Sequence, residues 1–158
     1  MAKSNLTLEI ESRFLDFLYL KKRELAITEC TLGVWQQYGI VDILSYQGVS
    51  KSNGRGKRRT RDVIWRCYEV KTSKTDFYSP AKWTFIGEYN YFVFPSGLYQ
   101  QVKKDIPAHV GVYEASGNTF KSLKRATKMK PRLEHSEFMH EFLISVHRDA
   151  RKWQKKGK

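Results

Sequence analysis

Two runs of β-forming residues, "GIVDILSY" at 39–46 and "VIWRCYEVK" at 63–71, flank a stretch that cannot be core. Residues 50–61, "SKSNGRGKRRTR", carry no apolar side chain and include the turn dipeptide Asn53-Gly54. The pattern predicts an antiparallel hairpin with a basic loop over about 48–62. Paired about Arg55-Gly56, the two strands bring Asp42 opposite Glu69.

The rest of the chain arranges itself around that hairpin. Apolar residues Ile10, Phe14, Phe17 and Leu18 recur at helical spacing within 5–23, and "LAITECTL" at 25–32 alternates as a strand does. "SPAKWTFIGEY" at 79–89 predicts a helix, with Ser79 as N-cap and Pro80 at the first helical position. "YNYFVFP" at 89–95 and "AHVGVYEA" at 108–115 are the remaining strands, and Leu133, Phe138, Phe142, Leu143, Val146 and Trp153 mark a closing helix over about 132–155. The expectation is one α/β domain over 1–158, a mixed sheet of about four to five strands flanked by helices.

Within this frame three charges stand where apolar side chains belong. Side chains at i and i+2 of a strand share a face about 6.6–6.8 Å apart, so Glu69 and Lys71 project together, on the face of Trp65 and Cys67. Asp42, between Val41 and Ile43, adds a second carboxylate across the hairpin. Converging carboxylates repel, and a divalent cation relieves them; Mg²⁺ takes oxygen ligands and commonly one or two carboxylates. A neighbouring ammonium can orient a water or stabilise charge on a scissile phosphate. The bland counterparts are an ion pair at a strand end and an Asp42 that bonds a neighbouring amide.

The set "GIVDIL" with Asp42, then a basic loop, then "YEVK" with Glu69 and Lys71, resembles the PD-(D/E)XK nuclease superfamily, with Val41 where the name-giving proline often stands. More narrowly, "EVKTSKTDF", "AKW", "YNYFVFP" and "IPAHVGVYEA" are similar to the MmcB-like DNA repair proteins, over roughly 29–126. The resemblance implies a restriction-endonuclease-like core and Mg²⁺- or Mn²⁺-dependent cleavage of phosphodiester bonds in DNA. It also implies catalytic roles for Asp42, Glu69 and Lys71, with Asp42 and Glu69 as metal ligands.

Members of the superfamily often add an acidic residue from the first helix. Glu11 lies at the edge of that helix's apolar face and Glu9 nearly opposite, so Glu11 is the expected addition, with an ordinary exposed carboxylate as its alternative. Glu29 matches a glutamate of the MmcB-like pattern and is either a further ligand or a structural partner. Ser73, Asp76, Lys82 and Trp83 match the family run as supporting residues, Asp76 as a helix cap or a brace for Lys82. Trp83 is either core or a stacking surface for an unpaired base.

Lys and Arg outnumber Asp and Glu 29 to 16, a net charge of +13, which favours a polyanionic partner. Lys51, Arg55, Lys57, Arg58, Arg59 and Arg61 on the hairpin loop are the expected nucleic-acid contacts, with a solvated loop as the alternative. Cys30 and Cys67 form no CxxC pair, and no two histidines have the i, i+4 spacing of a zinc site. No run of eighteen uncharged apolar residues exists, so a cytoplasmic protein without membrane contact is expected. DNA is the expected partner; the alternative to cleavage is a non-cleaving nucleic-acid-binding accessory on the same fold.

Overall fold

The computed structural model describes residues 2–52, 59–81 and 83–157. Helix α1 (Asn5–Phe17) is capped by Ser4, whose Oγ accepts the Thr7 N–H at 3.2 Å, and it unwinds through a π turn at Leu18–Lys22. Strands β1 (Leu25–Leu32), β2 (Gly39–Ser52) and β3 (Arg59–Val70) follow. A short helix α2 (Lys74–Phe77) leads to β4 (Tyr89–Phe94), and α3 (Leu98–Val102) to β5 (Gly111–Ser116) and β6 (Thr119–Lys124). Helix α4 (His135–Lys156) ends the fold, its first turn closed by a capping box between Glu134 and Glu137.

The six strands form one sheet in chain order. β1, β2 and β3 pair antiparallel, β3, β4 and β5 pair parallel, and β6 returns antiparallel to β5. The sheet is therefore mixed, as the sequence predicts, with six strands instead of four to five. The extra strand, "TFKSLK", offers only Phe120 as a buried residue, so at the sheet's edge it has no alternating apolar pattern to announce it.

Each sheet face is covered by one long helix. On one side Trp65 and Cys67 of β3 meet Leu133, Phe138 and Phe142, with the Trp65 and Phe138 rings stacked at 5.2 Å. On the other, Phe14 of α1 lies edge-on to Tyr68 and Phe120 and packs with Ile10, Leu18, Val70 and Val93. A third cluster, Phe77, Phe92, Phe94, Leu98 and Val112, closes the parallel half.

The helix predicted over 79–89 does not form. The helical turn lies earlier, at Lys74–Phe77, with Ser73 as its cap, and residues 83–86 belong to no helix or strand. Their side chains divide between two clusters: Trp83 joins the one around Phe92, Ile86 that of Trp65, and Phe85 packs against both. The backbone is committed to β3 instead of to itself, since Thr84 N–H donates to Glu69 Oε1 at 3.0 Å and Glu88 N–H to Trp65 O at 2.9 Å. Gly87 allows this approach, because a Cβ there would stand 2.9 Å from Trp65 O.

Candidate functional site

The hairpin ladder fixes the site. Ile43 pairs with Tyr68 and Ser52 with Arg59, an antiparallel register whose next step places Asp42 opposite Glu69. Asp42 Oδ2 accepts the Val70 N–H at 2.9 Å, so this carboxylate also fastens the end of β3 between Glu69 and Lys71. Glu69 is 4% exposed. Burial, the Asp42 charge and the hydrogen bond to Asp42 push its carboxyl well above the usual carboxylate range, against the pull of the Thr84 amide and Lys71.

Lys71 is buried beside them, its ammonium 3.7 Å from Asp76 Oδ1. Asp76 Oδ2 accepts the Thr72 N–H at 3.0 Å, and the Asp76 N–H donates to Ser73 Oγ at 3.0 Å. Asp76 thus holds the turn after β3 and braces Lys71. Lys82 lies outside the described residues, so the expected Asp76 brace on it does too.

Of the two glutamates on α1, Glu11 is buried against the site, while Glu9 is exposed and lies 3.8 Å from Arg13. Glu29 reaches the same place by an unusual backbone. Its φ is +52°, and the ladder between β1 and β2 skips it between Thr28↔Ile43 and Cys30↔Val41. The alternation of both strands breaks here: Ile27 and Cys30, and likewise Val41 and Leu44, face the same cluster although three residues apart. From α4, Arg148 donates to Glu29 O and Thr28 O, each at 2.8 Å, and so holds the kinked stretch. In the sequence Arg148 belongs to a basic helix end; in the fold it is a clamp on β1.

One residue at the centre was not found by sequence reasoning. Lys3 bonds Glu11, and its Nζ lies 3.5 Å from both Glu29 Oε1 and Asp42 Oδ1. Burial works to lower the Lys3 ammonium, but the Glu11 hydrogen bond and the charges of Asp42, Glu11 and Glu29 outweigh it and raise it. Glu11 is shifted upward, by burial first and by Asp42 and Glu29 next, with Lys3 opposing. The only sequence signal was Ser4, a helix cap that fixes the residue before it.

A cleft of about 480 Å³ opens on this group, with Lys3, Asp42, Lys71, Thr72 and Asp76 in its wall. Asp42, Glu69, Glu11 and Glu29 supply only oxygen donors, the set a hard divalent cation takes. Among the described residues no three His, Cys, Asp or Glu side chains are gathered closely enough to ligate one ion. Lys3 instead stands among them, bonded to Glu11 and within ion-pair distance of Glu29 and Asp42.

Burial marks a different carboxylate as structural. Glu24 lies on the opposite sheet face, where its Oε2 accepts from Ser45 Oγ and Tyr68 Oη, each at 2.7 Å, and Arg66 stands 3.4 Å away. It is satisfied by donors, whereas Glu69 faces another acid. The cysteines are inert by the same logic: burial pushes the Cys30 thiol up to about 11 and Cys67 to about 12.

Of the basic hairpin residues, Lys51, Arg59 and Arg61 fall on the far part of the ladder, in the pairs Lys51↔Thr60, Ser52↔Arg59 and Ser50↔Arg61. Arg55, Lys57 and Arg58 lie outside the described residues. Trp83 packs on Phe77, Phe85 and Phe92, and its Nε1 is buried without a hydrogen-bond partner among the described residues. Among the described residues no helix is long and apolar enough to cross a membrane.

No family model matches the chain, and no curated protein does. A protein of unknown function from Silicibacter pomeroyi has a similar solved structure, with a TM-score of 0.62 at 15% identity, covering 97% of this chain and 90% of that one. At that identity the likeness concerns the fold alone.

Proposed function

We propose that the protein is a metal-dependent nuclease of the PD-(D/E)XK type that hydrolyses phosphodiester bonds in DNA, on a restriction-endonuclease-like core. The observation that carries this is the convergence at the root of the β2–β3 hairpin: Asp42 against a buried Glu69 whose carboxyl is pushed up, with buried Lys71 two residues on. Burying like charges costs free energy, and a purely structural site has no use for it. The contrast with the donor-satisfied Glu24 makes the same point within one molecule.

The oxygen donors suit Mg²⁺ or Mn²⁺, which Asp42 and Glu69 would hold, while Glu11 and Glu29 are paired with Lys3. When bound, the cation supplies electrostatic stabilisation of the charge that builds on the scissile phosphate. The chain's own residues do the rest. Asp76 holds the Lys71 ammonium at the cleft wall, where it can neutralise a phosphate oxygen. Glu69 is fixed by the Thr84 amide, so its orientation does not depend on the substrate. The basic hairpin residues and the net charge of +13 supply attraction for the polyanion.

One observation favours the second reading, a DNA-processing accessory that binds without cutting. Lys3 already neutralises part of the acidic group, as the ammonium of a retired site would. The two are separated by incubating the protein with single-stranded, duplex, flapped and branched DNA, and with RNA, in Mg²⁺, Mn²⁺ or EDTA. Cleavage that needs the cation and disappears in Asp42→Ala, Glu69→Ala and Lys71→Ala supports the nuclease. Gel shifts that persist in EDTA and in those variants, with no cleavage of any substrate, support the accessory.

A further inference from the structure

The crossover from β3 to β4 forms part of the wall of a second cavity. It encloses about 460 Å³, and Gln36, Tyr38, Trp83, Phe85, His109 and Arg132 line it. That volume falls within the range of small-ligand sites, roughly 300–1,000 Å³. Thr84 lines it as well, and Thr84 is the residue whose N–H holds Glu69 Oε1 at 3.0 Å and whose hydroxyl donates to Ile40 O at 3.3 Å. A single residue therefore separates this cavity from the buried candidate catalytic carboxylate.

The chemistry of the wall narrows the ligand. Aromatic rings from Tyr38, Trp83 and Phe85 offer faces for a flat, apolar-faced group, while Gln36, His109 and Arg132 offer hydrogen bonds to its edge. Among the described residues no carboxylate lines the cavity. Trp83 adds an independent sign, since its indole N–H is a donor only and is buried without an acceptor among the described residues. The turn that contributes Gln36 also carries Trp35, 93% exposed. So large an apolar side chain is seldom left this fully in water, and on nucleic-acid-binding surfaces exposed aromatics are where bases stack.

Resting on the nucleic-acid reading of the neighbouring cleft, we infer that this cavity receives an unpaired nucleobase of the bound strand, with the next base stacked on Trp35. Base faces meet Tyr38 and Phe85, and ring nitrogens or carbonyls on the base edge are acceptors for the Trp83 N–H and the Arg132 guanidinium. A fully paired helix cannot present a base in this way without unstacking it. The substrate class is then single-stranded or locally unpaired nucleic acid, held by its bases next to the acidic site.

The test uses a short single-stranded DNA containing 2-aminopurine, titrated with the full chain in EDTA so that no strand is cut. Quenching of the probe is expected on binding, with weaker competition from a fully paired duplex of equal length. Trp35→Ala removes only a solvent-exposed ring and should weaken binding roughly tenfold; Trp83→Phe keeps the ring packing and removes the N–H, and should reduce the quenching. If the duplex competes as well as the single strand, and Trp35→Ala, Trp83→Phe and Arg132→Ala all bind like the parent, the base site is wrong while nucleic-acid binding stands. If neither DNA binds, both fall together. Displacement of the probe by free deoxyadenosine monophosphate at the same nucleotide concentration would overturn the assignment to a polynucleotide.

Discussion

Asp42 Oδ2 accepts the backbone N–H of Val70 at 2.9 Å, so the carboxylate that faces Glu69 is also the latch that ends β3. Two demands meet on one side chain, and substitutions separate them. Asp42→Asn keeps an acceptor for Val70 and should abolish cleavage with little loss of stability. Asp42→Ala should abolish cleavage and also unfold more easily than Asp42→Asn, by about 1 kcal/mol in urea denaturation. Equal midpoints for the two variants would show that the latch contributes nothing.

The upward shift of Glu69 makes the metal-free protein sensitive to pH. A carboxyl whose folded pKa lies above its unfolded value binds its proton more tightly in the native state. Stability is therefore fullest below the ordinary glutamate range and declines as pH rises from there through the folded pKa. Glu69→Gln can still accept the Thr84 N–H and carries no charge, so it should raise Tm at pH 7–8 in EDTA and flatten that decline. Mg²⁺ should raise the Tm of the parent at pH 8 and leave Glu69→Gln nearly unmoved. A parent protein that gains stability between pH 5 and 8 in EDTA would contradict the assignment.

Lys3 pairs with Glu11, Glu29 and Asp42, so under the proposed nuclease reading a divalent cation would have to compete with it. Lys3→Met removes the competitor and should tighten Mn²⁺ binding about fivefold or more, as titration calorimetry would read it. Weaker Mn²⁺ binding by Lys3→Met would instead make Lys3 a support of the ion site.

Arg148 holds the carbonyls of Thr28 and Glu29 from the far side of β1. Arg148→Met should lower stability by about 1–2 kcal/mol, a value reduced because the side chain is partly in water. It should also loosen the left-handed backbone of Glu29, speeding amide hydrogen exchange at 28–30 relative to the rest of β1. An unchanged melting temperature together with unchanged exchange would reduce Arg148 to a surface cation.

What could be read from the residues follows from how local each signal is. The hairpin register needed only two alternating runs and a turn dipeptide, and the ladder from Ile43↔Tyr68 to Ser52↔Arg59 has that register. Glu11 could be told from Glu9 because a helix has one apolar face. The stretch 79–86 was legible only in part: Ser79-Pro80 has the chemistry of a helix start, yet the backbone of Thr84 and Glu88 is drawn to β3 by partners distant in sequence. Lys3 was invisible for the opposite reason. Beyond the Ser4 cap, nothing local marks that lysine until α1 is docked on the sheet. Glu29's φ of +52° has the same origin, since the Arg148 that holds it lies 119 residues away.

The β2–β3 ladder has a mechanical consequence. Of its ten register pairs, the outer six, Gln47↔Ile64 to Ser52↔Arg59, lie beyond the ladders to β1 and β4 and make a two-stranded arm about 17 Å long, comparable to roughly five base-pair steps of B-DNA. Residues added or removed in equal number on both strands would alter the reach of that arm and leave Asp42 opposite Glu69. The hairpin is thus a ruler with a fixed zero: its length can change by paired steps while the acidic pair at its root stays where it is.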